Sequence, residues 1–359
     1  MNTYNPPVYR EGMWDSIKGI AMIGIILVHL GTTNHLDFNS EAIRSIYRNG
    51  LLGVEITFIV SAYFYCRGLH NKNNLSIKQC YNYVLHKILR IVPEYFFIIT
   101  LNYYILYIRT GIHIEIGNVV SHYLFVNMLI PKWYNDFFGG SWYVSALVLS
   151  YIFFAPLVRK INNFGDSTLK CILCILCSYI VFNMIGNCTD RFFGKWSEPY
   201  NSFLWCWNRT ICCFAIGIFL FFFFDEYRSK IKTETYMKWL LTVLGWGGVF
   251  VGCIRYETFD SILFSLIISI IIIVNINEPV VIISNPVFSL IGRYSFEIYL
   301  LHDFVFVLIT QEFLLIKPGI KCFFVTMLLT SFLSILLQKL IQKPFDRLIK
   351  RLKDKTNHL

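Results

Sequence analysis

Runs of apolar residues long enough to cross a bilayer recur along the whole 359-residue chain. In hydrocarbon a spanning segment must pair its own backbone N–H and C=O groups, and without a closed barrel only the helix does that. The recurrence therefore restricts the fold to an all-α, polytopic integral membrane bundle of about ten transmembrane helices. We place the spans at 14–31, 50–69, 92–109, 142–158, 169–186, 208–224, 238–254, 259–276, 294–316 and 321–341. Composition agrees, with 56% hydrophobic, 18% aromatic and only 15% charged residues. The polar connections are too short for a second independent core. We divide the chain into a membrane domain, 1–345, and a short basic tail, 346–359.

An even number of spans puts both termini on one side. With the termini inside, the inner connections hold 21 of the 32 Lys and Arg residues and the outer ones 10, Lys18 lying within the first span. This bias predicts cytoplasmic termini in a cell (inner or plasma) membrane. It also accounts for the net charge of +10 through the lipid bilayer, so no nucleic acid partner is needed. The first apolar run lacks a small-residue cleavage site and is expected to stay as a signal anchor. Segment 77–91, with apolar residues at helical spacing around Lys78, Lys87 and Arg90, is expected to lie along the inner surface. Cys171, Cys174 and Cys177 fall on one helical stripe with no His or carboxylate nearby, which suits packing. Cys188 and Cys206 flank an outer loop, and their pairing is left open, as is a homo-oligomeric state.

Ionisable residues inside spans cost a few kcal/mol on insertion scales and face the bundle interior or a wet cavity. Here they are Lys18, His29, Glu55, Glu297, His302 and Asp303. Lys18 and His29 lie in one stretch, SIKGIAMIGIILVHLG. Eleven residues return a helix to within about 20° of the same face and advance it by about 16 Å. Taken singly, Lys18 could snorkel to the interface and His29 could be structural. Together they match a thioester donor such as acyl-coenzyme A, with phosphates at one end and a reactive carbonyl at the other. Lys18 would hold the phosphates. His29 would deprotonate the acceptor hydroxyl or carry the acyl group itself. Glu55 either pairs with a buried Arg or Lys, or orients His29 or binds a sugar hydroxyl. Glu297 and His302, five apart and about 140° around a helix, should not form one tight pair.

With these residues in view, the chain resembles the acyltransferase 3 family of integral membrane O-acyltransferases. The family's basic residue, ten others and then His match Lys18 and His29. NGLLGVEITFIVSAYFYCRG resembles its second span through Glu55 and Ser61, and HKILRIVPEYF its third through Lys87, Arg90, Pro93 and Tyr95. SWYVSALVLSYIFFAPL is similar to its Trp-led span through Trp142, Tyr151 and Pro156. IGRYSFEIYLLH matches through Gly292, Tyr294, Ser295, Tyr299 and His302, and QKPFDR resembles the closing motif. Ala62 replaces a usual Gly, Thr57 a common Phe, and Leu147 and Val148 stand where other branches place an acid. That last departure shifts any acid role toward Glu55 or Glu297.

The resemblance implies transfer of an acyl group, most often acetyl, from cytoplasmic acetyl-coenzyme A to a hydroxyl of an envelope glycan or glycolipid. It casts His29 and Glu55 as catalytic, Lys18, Lys87, Arg90 and Ser61 as donor-binding, and Trp142, Tyr299 and His302 as acceptor-binding. No metal is required by that chemistry. A translocase for lipid-linked saccharide and a lipid-binding scaffold are the alternatives, and the absence of visible repeats weighs mildly against the translocase.

Overall fold

The computed structural model describes residues 9–32, 52–70, 75–111, 113–133, 140–162, 199–255, 261–312, 314, 316 and 319–356. Every regular element among them is helical. Helix α1 runs Tyr9–Thr32, α2 Gly53–His70, α3 Ile77–Thr110, α4 Ile116–Tyr123, α5 Ser141–Asn162 and α6 Pro199–Tyr227. They are followed by α7 at Thr235–Arg255, α8 at Ser261–Asn275, α9 at Pro286–Arg293, α10 at Ser295–Val307, α11 at Ile320–Leu337 and α12 at Lys343–Thr356. Every span expected from the sequence falls on one of these helices, except 169–186, which lies outside the described residues together with Cys171, Cys174, Cys177 and Cys188. Among the described residues, five helices are long and apolar enough to cross a membrane, and the shorter Leu263–Asn275 is also apolar.

Segment 77–91 departs from expectation. It does not form a separate surface helix but continues into the third span as the single 34-residue α3. Ser76 caps its start, accepting from Gln79 N while the Gln79 side chain accepts from Ser76 N. Pro93 lies well inside this helix rather than at its start. There it removes one backbone hydrogen bond without ending the helix, an exception that packing against neighbouring helices permits in membranes. At about 1.5 Å per residue, 34 residues reach about 51 Å, well beyond a hydrocarbon core of about 30 Å. Lys87, Arg90 and Glu94 are thereby strung along one rigid rod.

Around α1 the backbones come unusually close. Helix α9 starts at Asn285, whose side chain accepts from Val287 N and Phe288 N, with Pro286 in the first turn. It crosses α1 so tightly that a Cβ on Gly292 would overlap the Asp15 carbonyl, and one on Gly19 the Phe288 carbonyl. Ser289 Oγ donates to Gly12 O at 2.7 Å across the same crossing. Small residues allow such an approach, which is how helices adhere where no hydrophobic effect separates protein from solvent. Between α2 and α6 the same device recurs. Gly217 sits against the Ile59 carbonyl and the Ala62 methyl, so the glycine missing at position 62 is supplied by the facing helix.

The α1–α9 crossing predicts that Gly292→Ala lowers the unfolding temperature of the detergent-solubilised protein by several degrees and cuts membrane yield. Gly247→Ala, where an added Cβ meets nothing within 4 Å, should leave both unchanged. Equal behaviour of the two variants would contradict the packing described.

Candidate active site

Two clusters of polar groups lie at opposite ends of α1. His29, near one end, places Nδ1 3.2 Å from Asp303 Oδ1 on α10. His302, the neighbour of Asp303, packs its ring against His29 with centroids 4.7 Å apart. The His302 Nδ1 is 2.6 Å from the Tyr299 carbonyl, which fixes that nitrogen as the donor. Its Nε2 comes within 3.4 Å of the same Asp303 Oδ1, close enough for an ionic contact but not aligned as a hydrogen bond. One carboxylate oxygen thus stands between two imidazoles. Tyr299 borders His302 at 5.5 Å and Tyr143 at 4.7 Å, extending the cluster into an aromatic wall.

At the other end Lys18 lines a cavity of about 410 Å³ together with Lys87, Arg90, Glu94, Arg293 and Glu297. Lys18 Nζ also pairs with Asp15 Oδ1 at 2.8 Å, one turn earlier. Helix α3 supplies Lys87 and Arg90, the α9–α10 junction Arg293 and Glu297, and α5 Tyr151. A π-helical turn, Gln338–Gln342, presents Gln338 and Gln342 from the fourth side. Such turns widen a helix locally and recur at functional sites. Because Lys18 lines the cavity with Glu297 while His29 meets Asp303, α1 and α10 run in the same direction. Between the two clusters, Ser61 on α2 lies within interaction range of both Tyr143 and Tyr151. It therefore links the cavity wall to the aromatic wall rather than lining the cavity.

Glu55 is elsewhere. Its carboxylate is held by Arg209 in a two-pronged pair, Nε to Oε1 at 2.7 Å and Nη2 to Oε2 at 2.6 Å. The two side chains are 0% and 2% exposed. Arg209, counted from the sequence as an outer-connection cation, is in fact buried in α6 and stacks over the Trp142 ring at 5.8 Å. The carboxylate that orients His29 is therefore Asp303, a correction to the assignment of Glu55. Glu55 instead takes the pairing with a buried cation. Trp142 belongs to this same buried platform, bracing Arg209 and Phe58, and connects to His302 through Tyr143 and Tyr299. Glu297 and His302 diverge as their helical spacing required, Glu297 accepting from Gln338 at 3.4 Å.

A family model described as an acyltransferase domain, that of acyltransferase 3, matches residues 13–339. The chain belongs to the acyltransferase 3 family. Comparisons with curated proteins and with solved structures find no match. The matched stretch contains Lys18, His29, Lys87, Arg90, His302 and Asp303, and the cavity at Lys18 extends past its end to Gln342 and Lys343. The donor atoms of His29, His302 and Asp303 all lie within 4.8 Å of one another, a spacing and chemistry that a divalent ion could also use. No such cluster is visible in the sequence, because residue 29 and residues 302–303 meet only in the fold.

Two predictions follow from these contacts. Asp303→Asn should lower acyl transfer by roughly 10²–10⁴-fold, the usual range for a positioned acid–base group, with thermal unfolding unchanged. Glu55→Ala, which leaves Arg209 buried without its partner, should instead destabilise the fold by about 3–5 kcal/mol, read as a fall in unfolding temperature. Interchanged outcomes would contradict the roles given to the two acids.

Proposed function

We propose that this acyltransferase moves an acyl group, acetyl by preference, from cytoplasmic acyl-coenzyme A to a hydroxyl of an envelope polysaccharide or lipid-linked glycan. In this reading the chain spans the cell membrane ten times with both termini cytoplasmic. The cavity bearing Lys18 opens inward, and the His29 cluster lies toward the outer face. The observation that carries the proposal is the disposition of α1, whose one long face offers a cation-lined cavity at Lys18 and a carboxylate-backed imidazole at His29.

The donor's phosphates are met by Lys18, Lys87 and Arg90, through charge-assisted bonds of the kind both side chains make to phosphate. The extended arm of the thioester follows α1 and α10 past Tyr151 and Ser61, the about 16 Å that separates Lys18 from His29 along the helix. With Nδ1–H donated to Asp303, the basic lone pair of His29 is on Nε2, and the negative carboxylate stabilises the imidazolium as it forms. His29 Nε2 takes the proton of the acceptor hydroxyl. The oxygen adds to the thioester carbonyl, the C–S bond breaks, and the departing thiolate takes up a proton, leaving an ester and free coenzyme A. Tyr299 and His302 border the place of the acceptor, and aromatic faces there suit the apolar side of a sugar ring. Trp142 stands behind them.

Purified protein in liposomes, given radiolabelled acetyl-coenzyme A and an extract of envelope glycans, should release coenzyme A and transfer the label. His29→Ala should abolish both while the protein stays folded and inserted. Lys18→Ala should raise KM for the donor about tenfold, with a smaller effect on kcat. Wild-type rates in the His29 variant would refute the assignment, and glycan movement with the thioester left intact would indicate a translocase.

A further inference from the structure

The cavity at Lys18 is not uniformly basic. Its cations Arg90, Arg293 and Lys343 are exposed at the rim, whereas two carboxylates are buried at the floor, Glu94 at 2% and Glu297 at 6% exposure. Glu297 has Gln338 as a donor. Glu94 Oε1 is buried with no hydrogen-bond partner among the described residues. A buried carboxylate left unmatched is strongly destabilising unless something donates to it. The protein has placed this one beside a cavity rather than beside a donor. Glu94 follows Arg90 by one helical turn on α3, so both face the same space. Glu297 begins the stretch of α10 that leads to Tyr299, His302 and Asp303.

Phosphates are attracted by such a rim. What the floor accepts is a neutral group rich in N–H, and an arm leading from the rim toward His29 must pass over it. Resting on the donor reading above, we infer that Glu94, with Glu297 beside it, is a specificity-determining contact for the amide-bearing arm of the donor. It accepts the arm's N–H groups while the rim holds the phosphates. A metal ion is a poor occupant of this cavity, since Lys18, Lys87 and Arg90 line it as well. The pattern also sets the direction of the bound donor, head at the rim and arm inward.

Two inhibitors separate the halves of the donor. Pantetheine carries the arm alone, and adenosine 3′,5′-bisphosphate the phosphorylated head alone. Each is titrated against acetyl-coenzyme A turnover by the full-length protein in liposomes. Glu94→Gln should weaken inhibition by pantetheine roughly tenfold, the range for a lost hydrogen bond, and leave the bisphosphate unaffected. Lys87→Ala should do the reverse. Glu297→Gln, checked with the others by thermal unfolding, gives the same test if the Glu94 variant does not fold. Unchanged inhibition by pantetheine in an active variant, a loss confined to the bisphosphate, or pantetheine inert toward wild type each overturns this inference alone. A wild-type protein that turns over no thioester overturns the donor reading and this inference with it.

Discussion

The backbone contact between α1 and α9 is the constraint on which the site depends. Gly19 and Gly292 let the two helices touch at main-chain distance, and Ser289 ties the crossing to Gly12. Because α9 leads directly into α10, the contact sets α10 alongside α1 in a parallel course. One register then determines two encounters. Lys18 reaches the cavity that Arg293 and Glu297 help to line, and His29 reaches Asp303. A shift of one turn, about 5.4 Å, would break both at once.

The buried Glu55–Arg209 pair does different work. It joins the start of α2 to the interior of α6 and holds Trp142 in place by its guanidinium face. In a low-dielectric interior such a pair adds little net stability but is costly to break from one side. It therefore acts as a register pin rather than as part of the chemistry. The Gly217 contact with Ile59 and Ala62 lies further along the same two helices, so α2 and α6 are matched by charge at one point and by shape at the next.

What the sequence disclosed follows from the range over which each signal acts. The shared face of Lys18 and His29 is a local consequence of helical periodicity, as is that of Lys87 and Arg90, and all four lie where that periodicity puts them. The divergence of Glu297 from His302 was legible for the same reason. The partner of His29 was not. Asp303 stood among the ionisable residues of the spans, but choosing it over Glu55 requires the offset between α1 and α10, which is set by glycines more than 270 residues apart in the chain. Arg209 sits at the edge of an apolar run, where a boundary shift of about two residues decides between water and core. Segment 77–91 was set apart because charges interrupt its apolar pattern. The helix continues through them because Ser76 begins it and nothing before Gly111 ends it.

The direct test is a cryo-EM structure of the protein in lipid nanodiscs with a non-hydrolysable acetyl-coenzyme A analogue. Density for the phosphates among Lys18, Lys87 and Arg90, with the acyl carbon within about 3.5 Å of the atom attacking beside His29, is the expected result. Phosphates bound away from that cavity, or an arm that runs elsewhere than toward His29, would contradict it.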